Sequence, residues 1–173
     1  MNVAALNNPT GALRSVSEQV ESRSERLRKI WERDVTLRDG DLQEARKLLA
    51  EIDEIMPGLD AYAARLASIS RPADQREISE HLIAIRLNFH NSKATGEGYA
   101  RIMVERVEAK QPTFAALEWA TREIIDKRKF MPVTAEVLEA IAAAQWRVEL
   151  VRDIVASLPA RRRRLAQVID AEG

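Results

Sequence analysis

The chain has 173 residues, 46% hydrophobic and 31% charged, and its 27 basic side chains balance its 27 acidic ones. That length suffices for one core, or one core plus an extension, and six glycines and six prolines give too little turn punctuation for an all-β fold. The charge balance gives no bulk attraction to nucleic acid or to an anionic membrane, and the lack of cysteine excludes disulfides and thiolate metal sites.

No apolar run reaches the roughly 20 residues of a membrane span. The opening "MNVAALNNPTGALRSVSEQ" has no charged segment followed by a sustained apolar one, so a cytoplasmic location without membrane contact is expected. Nearly every periodic segment reads as helix, and the fold class is all-α.

Residues 1–11, with "NNPTG", read as a flexible arm. From Leu13 a stripe runs through Val16, Val20, Leu27, Ile30 and Leu37, with Arg23 and Asp34 as defects in its seam. "RDGD" (38–41) ends it, and Asp41 offers a cap to the next helix. There Leu42, Ala45, Leu49, Ile52 and Met56 are aligned. "PG" at 57–58 interrupts, and Leu59, Tyr62, Leu66 and Ile69 resume the spacing.

Residues 12–70 thus form a helical hairpin or a coiled-coil-like region. Leu42, Leu49, Ile52, Met56, Leu59 and Leu66 are its candidate self-association stripe, and a homo-oligomer would follow from it. Packing on the rest of the chain is the competing use of the same residues.

"SRPAD" (70–74) marks a boundary, with Pro72 in the first turn of a new helix that Ser70 or Arg71 precedes. A compact four-helix bundle over 71–158 is predicted next. Its first helix aligns Ile78, Leu82, Ile85 and Phe89, and its second Tyr99, Ile102, Met103 and Val107. The third, capped by Thr113, buries Phe114, Leu117, Thr121, Ile124 and Ile125. The fourth starts at Thr134 and carries Val137, Leu138, Ile141, Trp146, Leu150 and Ile154 on a long C-terminal run to Leu158.

Between the third and fourth helices lies a structural corner, "KFMPVTAE". Pro132 stops a helix there, Thr134 caps the next, Glu136 sits in its first turn, and Phe130 is expected to plug the space between the two. Pro159 is expected to interrupt the last helix and leave 159–173 as a basic tail. In that tail Arg161, Arg162, Arg163 and Arg164 are the candidate contact to nucleic acid or a partner.

Chemistry-bearing residues are sparse. His81 follows Glu80 and lies four residues after Glu77, which matches no metal-ligand motif, and His90 suits a helix end. "TGEGYA" (95–100) lacks the lysine and the preceding strand of a phosphate loop, and Asp53/Glu54 read as surface charge. No catalytic, cofactor-binding or metal residue is assigned, and the expectation is a protein that is not an enzyme.

Residues 76–141 as a whole, from "EISEHLIAIRLNFHN" through "QPTFAALEWATREIIDKRKFMPVTAEVLEAI", resemble the small helical domain of phage-type replicative helicase loaders, including their loader/inhibitor family. The matching positions are Phe89, Pro112, Ala120, Lys129, Phe130, Pro132, Ala135 and Glu136. "FHN" stands where that family has an aromatic-proline pair, and Ile or Met where its second helix often has tryptophan. The resemblance implies a non-enzymatic DNA-replication adaptor that engages a hexameric replicative helicase, restrains its ATPase and helps deliver it to an origin protein or single-stranded DNA. Two rival readings are a phage assembly or host-interaction protein that self-associates through its stripes, and a nonspecific DNA binder using the arginine run.

Overall fold

A computed structural model describes residues 9–38, 41–89 and 97–172, with side chains for 13–38, 41–89 and 100–171. Among them lie seven α-helices and no strand. They are α1 (Pro9–Thr36), α2 (Leu42–Ile55), α3 (Leu59–Ile69), α4 (Gln75–Asn88), α5 (Glu97–Glu108), α6 (Phe114–Lys127) and α7 (Thr134–Glu172). A single 3₁₀ turn, Met56–Gly58, joins α2 to α3 where Pro57 falls. The all-α class with a long C-terminal helix is as the sequence implies. Of the expected arm, residues 1–8 lie outside the described residues, and the rest already belongs to α1.

Two compact units form: Met1–Glu18 with Ala67–Val148, and Gln19–Leu66 with Glu149–Gly173. The boundaries differ from those expected at 70/71 and 158/159. The start of α1 belongs to the first unit because buried Ser17 accepts a 3.0 Å hydrogen bond from the indole Nε1 of buried Trp119 on α6.

In the first unit α4 packs against α5 and α6. The segment before α4 is tied to the one before α6: Ala73 N–H donates to the Pro112 carbonyl (2.9 Å) and Phe114 N–H to the Arg71 carbonyl (2.9 Å). The helix boundary expected at Pro72 falls three residues later. Asp74 and Glu77 form a capping box, with bonds of 2.8 and 3.0 Å satisfying two orphan amides. Thr113 caps α6 as expected, accepting from Ala116 N–H (3.2 Å).

In the second unit α1 runs antiparallel to α2 and α3. Arg33 pairs with Glu44 and Glu51, Arg26 with Glu54, and the Tyr62 hydroxyl donates to the Val20 carbonyl (3.1 Å). The hairpin alternative is therefore the observed one. Its core holds Val20, Leu27, Ile30, Ala45, Leu48, Ile52, Leu59, Tyr62 and Leu66.

Pro159 lies inside α7 and does not end it. Proline removes one backbone bond and costs a helix interior about 3 kcal/mol. The side chains around it offset this loss: Val155, Leu158 and Leu165 are buried, and Arg161 and Arg164 hold the following turn to Asp34. Residues 159–172 are helix, not tail.

Candidate functional site

An apolar groove of about 330 Å³ opens in the first unit between α4 and α5. Leu82 and Ile83 come from α4, Met103 and Val104 from α5, and Met131 from the corner before α7. Helical spacing explains it. Ile78, Leu82 and Ile85 point inward and are buried, whereas Ile83 (55% exposed) and Leu87 (61%), four apart, form a second apolar line facing outward. On α5, Met103 and Val107 take the core and leave Ile102 outside at 46%. The sequence reading had placed Ile102 with the core face.

The corner beside the groove differs from expectation. Pro132 is buried, but Phe130 is 83% exposed and Val133 59%, so Phe130 projects instead of plugging the joint. Thr134 is the first residue of α7, and the cap comes from Glu136, whose carboxylate accepts from Val133 N–H (2.9 Å) and pairs with Arg128 (2.6 Å). That backbone bond, and then Arg128, hold the Glu136 carboxyl below its ordinary range.

The arginine run is largely consumed within the second unit. Arg161 and Arg164 both bind Asp34, Arg161 lies over Trp31 at 5.9 Å, and Arg162 meets Asp53 at 2.5 Å. Arg163 is exposed and has no partner among the described residues. The Asp34 that looked like a defect in the α1 stripe is 2% exposed and is the counter-charge of this cluster.

The proposed self-association stripe is also turned inward. Ile52, Leu59 and Leu66 are buried within the unit, while Leu42, Leu49 and Met56 are half-buried. The helix turns Leu48, not Leu49, fully into the core.

A buried polar cluster that sequence reasoning missed surrounds His81, which is 1% exposed. Its ring meets Phe114 edge-on at 5.9 Å, and its Nε2 lies 3.4 Å from the Glu118 carboxylate without hydrogen-bond geometry. Arg14 reaches the same carboxylate oxygen at 3.3 Å, and Arg122 binds the other at 3.2 Å. Burial pushes the His81 pKa down, against the pull of Glu118 and with the push of Arg14. Glu77 is held below its usual range chiefly by the two-pronged grip of Arg71, at 2.5 and 2.8 Å. Glu118, at position 5 of an otherwise apolar α6 face, was the available signal.

Among the described residues no group of three or more His, Asp or Glu side chains could hold a metal ion, and no helix is long and apolar enough to cross a membrane. His90 and the start of "TGEGYA" lie outside the described residues. No family model, no curated protein and no solved structure matches the chain.

Proposed function

We propose that this chain is a non-enzymatic adaptor that works by protein–protein contact through its first unit. One observation carries the reading. Of the large apolar side chains left exposed among the described residues, Ile83, Leu87, Ile102, Phe130, Val133 and Trp146 belong to the first unit and Val35 and Val168 to the second. Ile83 and Met131 line one groove, and Phe130 and Val133 flank Met131 in the chain, so part of this exposed apolar surface adjoins the groove, as on a binding face. The one histidine that is described is sealed from solvent and presents no group to a substrate.

The narrower reading is a replication accessory protein whose partner is a hexameric replicative helicase. Its support is the sequence likeness over residues 76–141, a span that lies within the first unit. The arginine run favours the DNA-binding alternative less, because three of its four members already have carboxylate partners.

The test is co-elution of the chain with a replicative helicase, together with the helicase's ATP turnover. Binding that changes turnover and is lost in the double variant Ile83→Asp, Phe130→Ser is the expected result. Unchanged turnover at saturating protein eliminates the helicase as partner. Binding indifferent to both substitutions removes the first-unit surface.

A further inference from the structure

We infer that residues 14–18 of α1 are a latch on α6 that protonation of His81 releases. The latch is independent of what docks on the first unit.

Three contacts hold the stretch down. Arg14 meets Glu118 Oε2 at 3.3 Å, Ser17 accepts from the Trp119 indole at 3.0 Å, and Glu18 pairs with Arg122 at 3.5 Å. The Glu18 side chain is 62% exposed, and a pair so solvated contributes little. The hold therefore rests on Arg14 and Ser17, three residues apart on one face of α1.

The oxygen that Arg14 uses is contested. His81 Nε2 stands 3.4 Å from the same Oε2, and neither side chain gives that oxygen a hydrogen bond. Both ring nitrogens of His81 and the Nε of Arg14 are buried without a hydrogen-bond partner.

A proton on the ring turns the contest into an excess of charge. Neutral His81 leaves Glu118 between two cations, Arg14 and Arg122, and charged His81 makes three. The acids of α4 do not absorb the third, because Glu77 is gripped by Arg71 and Glu80 pairs with Arg76. Arg71 also lies over Phe114, whose ring meets His81 edge-on. On α5, the other helix packed on α4, Arg101, Glu105, Arg106 and Glu108 are all exposed.

Arg14 is the cation with an exit. Its side chain is 43% exposed against 31% for Arg122, and it lacks the 3.2 Å hydrogen bond that fixes Arg122 to Oε1 from the same helix. When Arg14 leaves, charged His81 donates its Nε2 proton to the vacated Oε2, and Glu118 keeps two partners. The stretch then hangs chiefly on the Ser17–Trp119 bond.

Linkage gives the direction. In the latched form burial and Arg14 disfavour the charged ring, and release removes the push of Arg14 while the pull of Glu118 stays. Release therefore takes up a proton. Below the ordinary histidine value of about 6.5, each pH unit favours it by up to about tenfold.

The experiment uses the full chain at about pH 7.5 and about pH 5.5, on either side of that value. Trp31→Phe with Trp146→Phe leaves Trp119 as the sole indole. Its quenching by acrylamide should rise at least about threefold on acidification, with helix content by circular dichroism unchanged. In the unsubstituted chain, the amides of residues 14–18 should exchange faster at the acid pH than those of α6. His81→Gln should abolish the rise in quenching. Arg14→Gln, at a half-buried site, should bring the neutral value close to the acid one.

Quenching that ignores pH overturns the inference, as does a rise that persists in His81→Gln or that His90→Gln removes. Low quenching of Arg14→Gln at neutral pH overturns it too. Amides of α6 that exchange as fast as those of residues 14–18 would make the opening global, and no latch would exist. Should His81→Gln fail to fold, the Arg14 variant and the exchange comparison decide alone.

Discussion

Asp34 on α1 and Arg161 on α7 form a buried ion pair in the second unit, and Arg164, one helical turn on, closes on the carboxylate's other oxygen. The carboxylate side chain is 1% exposed, so its charge is stabilised by these two guanidinium groups instead of water. Removing one side of such a cluster leaves buried charge uncompensated.

Asp34→Asn is therefore expected to lower the unfolding free energy by about 2–4 kcal/mol, less than a fully enclosed pair because Arg164 can return to solvent. Arg163→Gln, on the same run but solvent-facing, should stay within about 0.5 kcal/mol of the parent. Urea unfolding of both variants checks this, and equal midpoints would mean that the cluster contributes nothing.

The hairpin yields a contrast between neighbours. Leu48 is wholly buried and Leu49 half-buried. Leu48→Ala should destabilise by about 2–5 kcal/mol through the cavity it leaves, and Leu49→Ser by well under half as much. Thermal unfolding distinguishes the two. A larger loss at Leu49, or an oligomer that Leu49→Ser dissociates, would restore that stripe to an interface between copies.

These residues show what was legible and what was not. Helix number and order, and the caps at Asp41 and Thr113, followed from local chemistry, since these caps and the Phe130–Pro132 break act over three or four residues, whereas Asp74 and Glu136 took the places expected of Ser70 or Arg71 and of Thr134. Facing depends on partners far along the chain. A stripe that admits Leu48 or Leu49 is settled only by what lies opposite. In α7 the buried residues include Val137, Ile141, Ala144, Val148, Val151, Val155 and Leu158, in alternating steps of four and three, and Ile154 beside them, as the spacing predicts. Trp146, which the sequence pattern places with the core face, is 61% exposed. The aspartate that looked like a defect in the α1 seam and two of the arginines expected to contact nucleic acid or a partner are halves of one interaction, with Asp34 and Arg161 separated by 127 residues in the chain. The groove had no local signature, because it needs α4, α5 and Met131 together.

His81 gives the first unit a specific response to acid. Its pKa is lowered by burial in the folded state, so below the ordinary histidine value the unfolded chain binds more protons than the native one. Stability is full above about pH 6.5 and falls as pH drops below it. Around the ring, Glu118 on α6 and Glu77 and Glu80 on α4 favour protonation, and Arg14 on α1 opposes it. Glu77, whose lowered pKa also costs stability in acid, acts only below its own ordinary value of 4.5. Between about pH 6.5 and 5 the slope therefore belongs largely to histidine. His81→Gln should flatten the melting temperature over that interval whatever its effect at neutral pH. A slope equal to that of the parent would assign the titration elsewhere.

Pro159 tests how far tertiary anchoring overrides a helix breaker. It is half-buried, between buried Leu158 and the Asp34-bound Arg161. The native backbone there is helical, so alanine would fit without strain, return a donor to the Val155 carbonyl and raise helix propensity. Pro159→Ala should stabilise the chain by about 1–3 kcal/mol, the upper value corresponding to the full interior penalty of proline. In the background of Asp34→Asn, where the anchor beyond residue 159 is weakened, proline should be harder to accommodate, and the gain from alanine should grow. Unfolding curves of the two single variants and the double variant form a cycle that reads this coupling directly. A gain that is identical in both backgrounds would show that the helix passes through Pro159 without help from the ion pair.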